Sequence, residues 1–153
     1  MNTSTSGRNT IDPRRPPGWF WVVGVLIALW MLVGVLAWCI DLGMSAERLA
    51  QLPEAQRRLF AMRPQWVFVV YGVAVFSGLA GAIALLLRHK LAKTLFLLSL
   101  LAALLQFGYT FAAMDALALL GPAKALPLPA MVIAVGLFTV WYARWCARHG
   151  LTR

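Results

Sequence analysis

The sequence predicts an all-α polytopic membrane protein. Four transmembrane helices form a bundle, with short amphipathic helices in the first external loop. Three observations predict it. The chain of 153 residues is 61% hydrophobic and only 12% charged, with a mean hydropathy of +0.77. A soluble fold of that composition lacks the polar surface to cover itself. Four apolar runs recur along the chain, and three of them are uncharged over the roughly 20 helical residues that cross a hydrocarbon core. The basic residues sit at the ends of these runs rather than inside them.

Residues 1–17 hold Ser, Thr, Asn, Pro and Arg without periodicity, and a disordered polar tail is expected there. The four-helix domain spans 18–146, with membrane crossings at about 19–40, 66–87, 94–114 and 128–146. The last run is the shortest and follows a Pro-rich break, "GPAKALPLP". Residues 147–153 form a short tail. Arg14-Arg15 is followed by Pro16-Pro17 and lacks the further residues of a twin-arginine signal. The first run exceeds the apolar core of a cleavable signal peptide, and "LAWCIDLG" offers no small-residue cleavage site. Trp38 also blocks a lipoprotein reading of "LAWC". The first run is therefore expected to stay as a membrane span.

Charge sets the expected threading. Arg8, Arg14, Arg15, Arg88, Lys90, Lys93, Arg144, Arg148 and Arg153 fall in the N-terminal tail, the second connection and the C-terminus. Only Asp12 accompanies them. Arg48, Arg57, Arg58, Arg63 and Lys124 fall in the other two connections, beside Asp41, Glu47, Glu54 and Asp115. Basic loops stay in the cytoplasm. Both termini and the Arg88 turn are thus expected inside, with Arg14, Arg15, Arg88, Lys90, Lys93, Arg144 and Arg148 as topology determinants. Trp19, Trp21, Trp38, Trp66, Trp141, Tyr142 and Trp145 mark the ends of spans, where amphipathic rings favour the interface. Cys39 and Cys146 then fall on opposite sides of the membrane, so no disulfide is expected between them.

Span three has two sides. Ser99, Ala102, Ala103, Gln106, Tyr109, Thr110 and Ala113 share one, and Leu97, Leu100, Leu101, Leu104, Phe107 and Phe111 the other. The second side is expected to face lipid. Ser99, Gln106, Tyr109 and Thr110 form the candidate polar strip within the membrane. It serves either as interhelical hydrogen bonding or as the lining of a solute path. In span two Tyr71, Ala74, Gly78, Gly81 and Ala82 make a helix-packing face of small residues. The two faces are expected to meet across the Arg88 turn. In the first loop Ser45 can cap a helix and Pro53 suits the first turn of another. Leu52, Leu59, Phe60 and Met62, with the nearby arginines, suggest helices lying at the membrane boundary, as a structured loop or as a lid.

Chemistry is sparse. No ionisable residue falls inside a span, and Asp41 and Asp115 are expected to be solvated at span ends. His89 and His149 sit in basic polar segments. No metal-ligand spacing, phosphate loop or nucleophile–base pattern occurs. Neither a catalytic site nor a metal or cofactor is expected, and nucleic-acid binding finds no basic stripe to support it.

Three stretches carry a resemblance: "GVLIALWMLVG" in span one, "RPQWVFVVYGVAVFSGLAGAIALLLR" in span two and "LFLLSLLAALLQFGYTF" in span three. With these the chain resembles a bacterial family of short four-span membrane proteins labelled "sugar transporter". The family carries Asn after the Leu-Trp of span one, whereas Met31 follows Leu29-Trp30 here. The resemblance implies a bacterial inner-membrane location and, by its label, transport. On physical grounds the expected role is a non-catalytic accessory or packing subunit. The alternative is a small-solute, sugar-like transporter acting as an oligomer. The expected partners are the lipid bilayer and a second copy or another membrane protein.

Overall fold

A computed structural model describes residues 16–152. The expected tail of 1–17, with Arg14 and Arg15, lies outside the described residues except for its last two positions. The described chain is all helix and loop, with no strand. Four long helices, α1 (Gly18–Leu42), α4 (Gln65–Leu86), α5 (Leu91–Ala112) and α8 (Pro127–Arg148), run antiparallel as a bundle. At 1.5 Å per residue each exceeds the roughly 30 Å of a hydrocarbon core. Their apolar length makes this a membrane-embedded protein. Four short helices lie at one end of the bundle: α2 (Ala46–Ala50), α3 (Glu54–Met62), α6 (Ala116–Leu120) and α7 (Pro122–Ala125). That end is the loop end. The other, holding the α4–α5 turn, is the turn end.

Local chemistry sets the helix limits. Pro17 and Pro64 precede α1 and α4, and Pro127 opens α8, where a missing N–H costs nothing. Ser45 caps α2, its Oγ accepting from the Arg48 N–H at 3.3 Å. Pro53 is the N-cap of α3 rather than part of its first turn. The helices α6 and α7 fall just before and within the stretch read from sequence as a Pro-rich break, and α3 packs against α6.

The α4–α5 turn is shorter than expected, because Leu91 already begins α5 and Lys93 lies in its first turn. Arg88 has a φ of 61°. The His89 N–H bonds back to Ala84 O and the Arg88 N–H to Leu85 O, which is a Schellman ending with arginine in the left-handed position. Gly150, at φ 68°, ends α8 in the same way, with the Leu151 N–H on Cys146 O. The two endings are joined: Arg88 Nε–H donates to Leu151 O at 2.8 Å. Ala147 and Arg148 thus continue α8, and Leu151 and Thr152 fold back into the bundle as buried residues instead of trailing away.

The helices pack in the order α1–α4–α5–α8. Glycines set the close approaches. A Cβ on Gly24 would lie 2.6 Å from Leu86 Cδ2, and one on Gly34 would lie 3.2 Å from Val75 Cγ1. Gly72 lies under Trp38, whose Nε1–H donates to Phe68 O at 3.2 Å. These contacts form the α1–α4 seam. On α4, Ala74, Gly78, Gly81 and Ala82 are buried, with Gly81 facing Phe96 of α5. Between helices in lipid such small residues gain van der Waals contact that larger ones would block. The expected lipid-facing side of α5 needs correction. Leu100 is buried against Gly136 of α8, and Phe107 packs on the Ala74–Ala102–Ala103 cluster. The reason is position: α5 sits between α4 and α8 and has two covered sides.

Candidate functional site

The two ends of the bundle differ. At the turn end α1 and α8 meet through aromatic rings: Trp19 contacts Tyr142 at 6.2 Å and Trp145 at 5.3 Å. Phe20, Phe96, Leu85 and Cys146 fill the space beneath them. Toward the loop end α1 and α8 stand apart, and a cleft of about 440 Å³ lies between them. All four long helices line it. Its rim residues Val33 and Leu128 are exposed, so the cleft opens between α1 and α8 rather than being sealed.

Met31 and Ser99 form the floor, both lying close to Gly78. A Cβ on Gly78 would come within 2.6 Å of Met31 Sδ and 2.9 Å of Ser99 Oγ. Met31 thus packs its thioether at a junction of α1, α4 and α5. Ser99 Oγ–H donates to Ala74 O at 2.6 Å, so its hydroxyl bridges α5 to α4. Leu100, Phe107, Val132 and Gly136 make the wall on the α5–α8 side.

The polar strip read from sequence separates in three dimensions. Gln106 lines the cleft, and its amide makes no hydrogen bond among the described residues. Tyr109 does not line it; its ring packs edge-on against Trp66 at 4.7 Å. Thr110 Oγ1–H donates to Gln106 O at 2.9 Å, within its own helix. Tyr71 of the packing face lines the cleft, whereas Ala82 and Gly81 lie toward the turn end.

The mouth carries a feature that sequence reasoning missed. Asp41 is not a solvated span-end residue: Arg63 Nη1–H donates to Asp41 Oδ2 at 2.9 Å, and both side chains are less than one third exposed. The Arg63 guanidinium also lies over Phe60 at 4.5 Å and Phe68 at 5.2 Å. The two charges belong to α1 and to the α3–α4 junction, 22 residues apart in sequence. No local periodicity could have paired them. The signal available was weaker: an acidic residue closing a span, and an arginine just before the Pro64-Gln65-Trp66 start of the next.

The other candidate residues lie elsewhere. Lys90, Lys93, Arg144 and Arg148 are exposed at the turn end, where Arg88 is partly buried. His89 Nδ1 accepts from the Leu91 N–H at 3.2 Å, and His149 stacks on Trp145 at 4.1 Å. Cys39 and Cys146 are free thiols at opposite ends. Among the described residues no three His, Cys, Asp or Glu side chains gather as a metal site would require. Compared with protein-family models, curated proteins and solved structures, the chain matches none.

Proposed function

We propose a non-catalytic, multi-pass protein of the bacterial inner membrane that binds a small, largely apolar molecule in the cleft between α1 and α8. The cleft carries this reading. Its volume of about 440 Å³ lies within the 300–1,000 Å³ usual for small-molecule sites. Its chemistry also suits such a ligand: apolar walls, with one amide at Gln106, one phenol at Tyr71, the Trp30 indole, the Ser99 hydroxyl already bonded to Ala74 O, and one self-neutralising ion pair at the mouth. A sugar needs many directed hydrogen bonds, which this lining does not supply. The family resemblance, with its transport label, therefore fits better with an amphiphile or apolar solute than with a sugar. The packed turn end blocks passage through one chain, so transport would call for an oligomer.

Sidedness rests on charge. Over the full sequence nine Lys and Arg fall in the two tails, the α4–α5 turn and the end of α8, against five (Arg48, Arg57, Arg58, Arg63 and Lys124) in the other two connections, which also hold Asp41, Glu47, Glu54 and Asp115. By the positive-inside rule the turn end faces the cytoplasm and the cleft opens outward. The accessory-subunit reading keeps one observation of its own. The helix α1 packs chiefly on α4 and leaves Val22, Leu26, Leu29, Val33 and Leu36 exposed, a row that a partner helix could cover.

Cysteine accessibility in intact cells tests both parts. In a chain freed of Cys39 and Cys146, an impermeant maleimide is expected to label Ala55→Cys, Ala123→Cys and Gln106→Cys, but not His89→Cys. Val132→Trp, which fills the cleft, is expected to block labelling at 106. A dark Gln106→Cys, or labelling that Val132→Trp leaves unchanged, sinks the cleft reading. A labelled His89→Cys with dark loop-end sites reverses the topology. Occupancy is read by mass spectrometry, as a small molecule co-eluting with wild type and missing from Val132→Trp. A stable protein partner co-purifying with either form would instead favour the accessory role.

A further inference from the structure

A second feature lies on the outer surface of α8 at the turn end. Leu137, Trp141, Arg144 and Arg148 follow at alternating helical spacings and form one stripe. With Val140 and Trp145 they enclose a surface depression of about 410 Å³. Leu137, Trp141 and both arginines are exposed.

Arg144 lies beside Trp145, whose ring contacts Trp19 at the start of α1 at 5.3 Å. Tryptophans mark the boundary between hydrocarbon and headgroups. The two guanidinium groups therefore sit at headgroup level, with Trp141 and Leu137 extending from them toward the hydrocarbon.

Among the described residues, neither the Arg144 nor the Arg148 side chain makes an ion pair, hydrogen bond or ring contact. The four described carboxylates, Asp41, Glu47, Glu54 and Asp115, all sit at the loop end. The described part of the turn end offers these arginines no anion.

Residues four apart on a helix have Cβ atoms about 6 Å apart, so two guanidinium forks can hold one phosphate between them. We propose that this stripe is a binding site for an anionic phospholipid. Arg144 and Arg148 bracket the headgroup phosphate, and an acyl chain lies along Trp141 and Leu137. Basic pockets beside membrane helices recognise lipid headgroups by this chemistry.

The test uses the full chain in detergent, titrated with phosphatidylglycerol, phosphatidylcholine or inorganic phosphate, with retained lipid read by native mass spectrometry. Phosphatidylglycerol is expected to be retained and phosphatidylcholine to wash away. R144Q/R148Q is expected to weaken phosphatidylglycerol retention about 30-fold, and each single variant about fivefold. R57Q/R58Q, at the loop end, is expected to leave retention unchanged. The single variants carry the test if the double variant loses helical content. Equal retention of phosphatidylcholine overturns the proposal, as does wild-type retention by the arginine variants. Displacement of phosphatidylglycerol by inorganic phosphate at equal concentration also overturns it, because the site would then read a free ion and not a lipid.

Discussion

The same four helices make a solid core at one end and a hollow at the other. At the turn end the side chains converging on the axis are large: Phe20, Phe96, Leu85 and Tyr142. Beside the cleft the buried cluster is small, Ala74, Ala102 and Ala103, while Val67 and Met114 are buried nearer the end of the bundle. Trp19 bridges α1 to α8 in the first case, and no ring does so beside the cleft. The packing order is the same throughout, so backbone topology does not decide where the cavity lies. Side-chain volume along each helix does, because a packed interior leaves a void only where too few atoms are supplied to fill it.

The largest expected effect breaks the solid half. Phe96→Ala removes a ring that is 1% exposed and should cost about 3–5 kcal/mol. Phe107→Ala, at the cleft wall, should cost roughly half of that, since one side of the ring already lacks neighbours. Unfolding in detergent, followed by circular dichroism, measures both, and equal losses would erase the distinction between the halves. The floor between them is the next target. Gly78→Leu forces a side chain into Met31 and Ser99 and should destabilise by about 1–3 kcal/mol. Gly108→Ala, with nothing within 4 Å of its added methyl, should be neutral or stabilising.

The mouth gives a smaller effect. Asp41→Asn leaves Arg63 without its charge partner in a half-buried setting, and a loss of about 1–2 kcal/mol is expected. The double variant Asp41→Asn/Arg63→Gln should recover part of it in the same unfolding measurement, and failure to recover would mean that the pair does not couple. The smallest effect concerns the seal of the solid half. Arg88→Ala loses the bond to Leu151 O yet keeps a left-handed residue, whereas Arg88→Gly loses the bond and relieves the backbone. The alanine variant should therefore be less stable than the glycine variant by about 1 kcal/mol. Equal stabilities would show that the φ of 61° carries no cost.

The legible part was local. Apolar run length marked the four spans, and the small residues on α4 marked a close-packed face because each needs only its neighbours at i+3 and i+4. The candidate site was half legible. Gln106 and Ser99 were visible as polar residues in an apolar helix, but whether each bonds to a neighbour or faces a void depends on what another helix places opposite. Ser99 meets the Ala74 carbonyl and Gln106 meets the cleft. Tyr109 and Thr110, on the same helical side by periodicity, are taken up by Trp66 and by their own helix.

The sequence by itself determined membrane embedding, the count of spans and the segregation of charge, because each follows from composition along a single helix in a solvent of fixed thickness. The tertiary structure alone decided that α5 covers two partners, that Asp41 closes on Arg63, that the C-terminal residues fold back onto Arg88, and that α1 and α8 part to leave a cleft. Each of these joins residues from separate helices. Such pairings depend on helix order and on the volumes facing each other across the bundle, which periodicity along one helix does not contain.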